Sequence, residues 1–167
     1  MDTSSLSYCQ RSFGARSSRV LLFAGVWDLL DRLATDGRLQ APRLVFGEIT
    51  KNNDGIGKWA HAHPAIFRPK GEHAARVVDI LKEPGQRLVV ATAPRGGEEA
   101  DPWVIALAEA ICATLPTLWE APVGVVVSEE TKVGGISDIC RRRSIEHLDF
   151  AGMLTVEGLS MGPPVGS

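Results

Sequence analysis

Apolar residues recur at helical spacing from Val20 to Asp36, where Phe23, Val26, Trp27, Leu30 and Leu33 share one face and Asp28, Asp31, Arg32 and Asp36 fall mostly elsewhere. This predicts an amphipathic helix that Gly37 ends. The short RLQA after it predicts a brief strand, and Pro42 opens a second helix through RLVFGEITKN that runs out in the turn-rich NNDG. GIGKWAHAH predicts a third amphipathic helix, stopped by Pro64. EHAARVVDILKE predicts a fourth, closed by Pro84 and Gly85.

The second half alternates more clearly. RLVVATA has strand character, and DPWVIALAEAIC predicts a long helix to about Thr114, with Asp101 as its N-cap and Pro102 at the first helical position. VGVVVSEE is the clearest buried strand. A loop containing Gly134 and Gly135 leads into the helix ISDICRRR, the short strand IEHL and the closing helix DFAGMLTVEGL. Helices alternating with short apolar strands predict an α/β fold: a twisted, mostly parallel sheet with helices on both faces and any ligand at the carboxyl ends of the strands. One domain is expected over residues 1–158, with a loose tail over 159–167.

Composition narrows the class. Hydrophobic residues are 44% and charged residues 23%, close to the soluble globular average, and the formal charge of −2 leaves no basic excess for coating nucleic acid. Cys9, Cys112 and Cys140 are odd in number and form no C-x-x-C pair, which points away from disulfides and from a cysteine zinc site. The start MDTSSLSYCQ has no leader pattern, and the apolar run VLLFAGVW is too short to span a bilayer. A cytoplasmic protein without a membrane partner is expected.

Four acidic positions stand out against this background. Glu48 falls inside the stripe of Leu44, Val45 and Ile49, where a carboxylate is costly unless it reaches water, pairs or holds a cation. Glu129 and Glu130 end the strand VGVVV, where open α/β sheets place their sites. Asp101 stands ahead of a long apolar helix, and Asp2 opens MDTSSL. Together, MDTSSL, GEI at Glu48, ADPWVIALA at Asp101 and VVVSEE at Glu130 resemble the acidic quartet of PIN-domain nucleases in order and spacing. WDLLDRLATDGR, KWA and ISDIC resemble further motifs of a toxin-type PIN-like branch.

The resemblance implies a PIN-like domain in which Asp2, Glu48, Asp101 and Glu130 are catalytic and hold Mg²⁺ or Mn²⁺, with Asp138 as an outer metal helper. Hard divalent ions take oxygen ligands, activate water and stabilise the leaving oxygen of a phosphodiester. The implied activity is a metal-dependent endoribonuclease, a hydrolase, acting as the toxin of a toxin–antitoxin pair. RNA, an antitoxin protein and a second copy of the chain are the implied partners. The alternative is a catalytically silent PIN-like module that binds RNA or a protein. Family members carry several apolar residues ahead of the first acidic position, whereas Met1 alone precedes Asp2, so either the start is assigned too late or a shortened first strand and weakened activity are expected.

Ser4 and Ser5 are expected either to orient the first carboxylate or a phosphate, or to cap a helix. Arg141, Arg142 and Arg143 are expected as a solvated helix end or, with Arg11, Arg16 and Arg19, as local phosphate contacts. His61 and His63 form an H-x-H whose side chains diverge on a helix, which disfavours zinc.

Overall fold

A computed structural model describes residues 1–13, 20–51, 54–88, 91–92, 97–98, 100–114 and 123–159. The expected tail lies outside the described residues from Ser160 on, as do Arg16 and Arg19. Among the described residues the protein is a mixed α/β structure of eight α-helices and short, mostly parallel strands.

The first helix, α1 (Thr3–Phe13), has no counterpart in the expected elements. Its polar sequence TSSLSYCQRSF carries little helical signal beyond Leu6 and Cys9, both fully buried. Helix α2 (Val20–Thr35) follows the predicted pattern: Val26, Leu29, Leu30 and Leu33 are buried, and the backbone turns out at Gly37. Strand β1 (Ala41–Pro42) replaces the expected RLQA strand and feeds directly into α3 (Arg43–Ile49), which buries Val45 and Ile49. Helix α4 (Gly55–Ala62) is capped by Asp54, whose carboxylate accepts the Gly57 N–H at 3.0 Å.

A 3₁₀ turn at Pro64–Ile66 leads to β2 (Phe67–Arg68), which pairs parallel with β1. A second 3₁₀ turn, Lys70–His73, precedes α5 (Ala74–Leu81). Of the expected RLVVATA strand, Ala91–Thr92 form β3, paired antiparallel with β4 (Gly97–Glu98), while Val89, Val90 and Ala93 lie outside the described residues.

Helix α6 (Asp101–Cys112) is the buried axis: every residue from Pro102 to Ala108 is buried, and it packs on α5, α7, β1 and β5. Strand β5 (Val125–Val127) pairs parallel with β6 (Glu146–Leu148), with Val126 opposite His147. Between them lies α7 (Ile136–Arg142), and α8 (Phe150–Val156) closes the described fold, capped by Asp149 through the Gly152 N–H at 2.6 Å. Just before β5, Gly124 lies so close to α6 that a Cβ there would stand 2.4 Å from the Ala108 carbonyl oxygen.

The two parallel pairs are bridged by the chain's first two residues. The Met1 amine donates to the Gln40 carbonyl at 2.9 Å, and the Asp2 N–H donates to the Val127 carbonyl at 3.1 Å. These bonds bring the start of α1 to the ends of β1 and β5. Among the described residues no helix is long and apolar enough to cross a membrane. The three cysteines are free thiols, and burial pushes Cys9 and Cys140 up to about 12, which leaves both inert.

Candidate functional site

Three of the four expected acids meet at one place. Glu48 from α3, Asp101 from the first turn of α6 and Glu130 from the loop after β5 line a single cleft of about 630 Å³, together with Arg87 and Lys132. The three carboxylates come from positions far apart in sequence. A second cavity, of about 380 Å³, is walled mainly by apolar residues such as Leu107, Val125 and Met153 and holds none of the expected site residues.

Asp101 is not the N-cap that its sequence context predicts. Ala100 occupies that position with no side-chain cap bond, and its carbonyl accepts from Trp103 and Val104, each at 3.0 Å. Asp101 is therefore the first helical residue, half-buried, with Pro102 following it. A carboxylate in the first turn of a helix is favoured by the backbone dipole.

Asp2 takes the capping role instead. It is 4% exposed, and its Oδ1 accepts the Ser5 N–H at 2.9 Å, three residues on, as an N-cap carboxylate does. Its Oδ2 accepts the Ser4 hydroxyl at 2.7 Å. The Ser4 hydroxyl oxygen in turn accepts the Glu129 N–H at 3.1 Å, and Thr3 donates its hydroxyl to Glu48. Asp2 thus does not line the cleft; it organises the layer beneath it, while Thr3 reaches from the same turn to one cleft acid. Ser4 thus holds the first carboxylate through its hydroxyl. Ser5 is fully buried, so the expected phosphate contact is corrected: its N–H serves the cap and its hydroxyl has no partner.

Glu130 is pinned by backbone. Its Oε2 accepts the Ile136 N–H at 3.0 Å, and a Cβ on Gly135 would stand 2.7 Å from that carboxylate. Lys132 lies 3.9 Å from the other oxygen. Glu129, its neighbour, turns the other way and accepts the Phe150 N–H at 2.8 Å.

Asp138 is not brought into the cleft. Its carboxylate accepts the Gly134 N–H at 2.8 Å and pairs with Arg141. The backbone N–H, ahead of the neighbouring arginines, holds its pKa below the usual carboxylate value. The arginine triplet makes contacts of its own. Arg141 pairs with Asp138, Arg142 donates to the Pro84 carbonyl at 2.7 Å, and Arg143 joins Glu83 to Glu109. The bonds of Arg142 and Arg143 tie the end of α7 to the turn after α5 and to α6.

Three residues escaped the sequence reading. His147, on β6, approaches the Ser128 hydroxyl at 2.9 Å, and burial holds it below its ordinary pKa while Asp2, Asp149, Glu129 and Glu130 pull the other way. Arg87 and Lys132 sit on loops and carry no periodic signal; only the fold brings them to the acids.

Among the described residues, no three His, Cys, Asp or Glu side chains stand close enough together to hold a metal ion. A four-carboxylate cage is therefore not assembled. Magnesium, however, keeps several waters and takes one or two carboxylates. Glu48 and Asp101 both line the cleft, accompanied by a third acid.

Residues 1–161 match the model of one protein family, described as a domain of unknown function (DUF4411), so the chain belongs to that family. Comparison with curated proteins and with solved structures finds no match.

Proposed function

We propose that this member of the DUF4411 family is a PIN-like, Mg²⁺- or Mn²⁺-dependent endoribonuclease whose ion is held by Glu48 and Asp101. The observation that carries the reading is the convergence of Glu48, Asp101 and Glu130 from three separate stretches of chain on one cleft. When bound, the ion supplies an activated water and offsets charge on the phosphodiester. Thr3 orients Glu48, and the Ile136 N–H holds one oxygen of Glu130. Asp2 keeps the α1 turn in place, so that Thr3 reaches the cleft. The toxin role, the antitoxin partner, the second copy and the cytoplasmic location rest on the PIN resemblance alone.

A silent RNA- or protein-binding module is the second reading. It is favoured by the engagement of both Asp2 oxygens in a helix cap, which removes one acid from the expected ligand set. Cleavage of a single-stranded RNA with Mn²⁺ separates the two. The wild type is expected to cut, Asp101→Asn and Glu48→Gln to lose about a hundredfold or more in rate, and metal-free melts to stay unchanged. Equal cleavage by wild type and Asp101→Asn would remove Asp101 from the chemistry. Absence of cleavage by the wild type would leave the silent module.

A further inference from the structure

The cleft carries two cations among its acids, and a polyanion meeting only carboxylates would be turned away. We propose that Arg87 and Lys132 form the phosphate grip of this cleft, binding the backbone of single-stranded RNA beside the acids. The proposal deepens the ribonuclease reading and rests on it for the substrate class. The arginines expected to do this work are engaged elsewhere: Arg141 with Asp138, Arg142 with Pro84 and Arg143 with Glu83 and Glu109.

The two cations are positioned together. Arg87 follows the turn that ends α5, and its N–H donates to the Gly134 carbonyl at 2.9 Å, two residues beyond Lys132. Gly134 has φ +77°, which side-chain-bearing residues rarely adopt, and a Cβ there would lie 2.6 Å from the Gly85 carbonyl oxygen and 3.1 Å from the Arg87 Cγ. The loop after α5 is thus packed directly on the loop after β5, with Gly134 at the contact. One backbone contact holds the two cation-bearing loops side by side.

Their chemistry divides the task. The guanidinium of Arg87 presents a planar fork that can take two oxygens of one phosphate. Lys132 is 86% exposed and lies 3.9 Å from Glu130, an ion pair loose enough to be exchanged for a phosphate. Its ammonium then neutralises charge next to an acid that the Ile136 N–H keeps in place.

The test is binding of a fluorescent single-stranded RNA oligonucleotide, followed by anisotropy in EDTA across a salt series, so that no cleavage intervenes. Arg87→Ala with Lys132→Ala is expected to weaken binding about tenfold at low salt and to reduce the slope of log K against log salt by ~1.4, since each contact to a single strand contributes ~0.7. Arg87→Lys is expected to retain the slope and lose part of the affinity, because charge remains while the fork is lost. Arg141→Ala with Arg142→Ala serves as the comparison and is expected to bind as wild type.

A double variant at Arg87 and Lys132 that keeps wild-type affinity and slope overturns the grip. If that protein also cleaves RNA with Mn²⁺, the ribonuclease reading survives without it. A wild type that binds RNA and loses the slope in the variant, yet never cleaves, supports the grip and overturns the nuclease. A wild type that neither binds nor cleaves RNA overturns both.

Discussion

The amino ends of α1 and α6 each carry an aspartate, and the two do opposite things. At α1, Asp2 is buried and spends both oxygens on its own turn, on the Ser5 N–H and the Ser4 hydroxyl. At α6, Ala100 takes the cap position and leaves Asp101 one residue inside the helix, half-buried on the cleft wall. The sequence context points the other way, since ADPW is a good cap signal and MDTSSL opens the acidic quartet. A shift of one residue in a helix start therefore decides whether a carboxylate caps its own turn or lines the cleft.

The comparison is most sharply tested by truncating both aspartates. Asp2→Ala removes a cap and strands the Ser4 hydroxyl and Ser5 N–H, and is expected to cost roughly 2–3 kcal/mol in denaturant unfolding. Asp101→Ala removes no helix cap and gives up a favourable position in the helix dipole, and is expected to cost about 0.3–1 kcal/mol without metal. Equal losses at the two sites would break the contrast.

A smaller effect is expected at the third acid. Gly135→Ala places a methyl group 2.7 Å from the Glu130 carboxylate and pushes it off the Ile136 N–H, at a cost of about 1–2 kcal/mol. The Ile136 amide should then exchange faster with solvent hydrogen. Unchanged exchange would show that Glu130 is not held by that bond.

The smallest effect is a pH dependence on the Asp2 side. Burial lowers the native pKa of His147 below its ordinary value of 6.5, so on acidification the unfolded chain takes up the proton first. Stability contributed through this group is held above pH 6.5 and declines as the pH falls through the native value. His147→Gln should flatten the difference in melting temperature between neutral and mildly acidic solution. A variant as pH-sensitive as wild type would assign that dependence to other groups.

Much of the helical framework was legible because apolar periodicity leaves long traces. The stripe through Val26, Leu30 and Leu33, the run from Pro102 to Cys112 and the Asp149 start of α8 all read directly. Helix α1 did not, because a short polar segment capped by Asp2 draws its stability from tertiary burial of Leu6 and Cys9. Strands of two residues such as β2 are too short to show alternation. Of the cleft, Glu48, Asp101 and Glu130 were visible by residue type and position. Arg87 and Lys132 were not, since a contact between two loops is recorded nowhere in local pattern.

The close approach of Gly124 to Ala108 has an evolutionary consequence. There α6, which begins at Asp101, meets the segment that runs through β5 to Glu130, main chain against main chain. The spacing of the two acids is thereby tied to peptide geometry more than to the identity of core side chains. In a saturation library, apolar positions along α6 should drift among residues of similar volume with the acids still in register, while position 124 should return glycine almost alone.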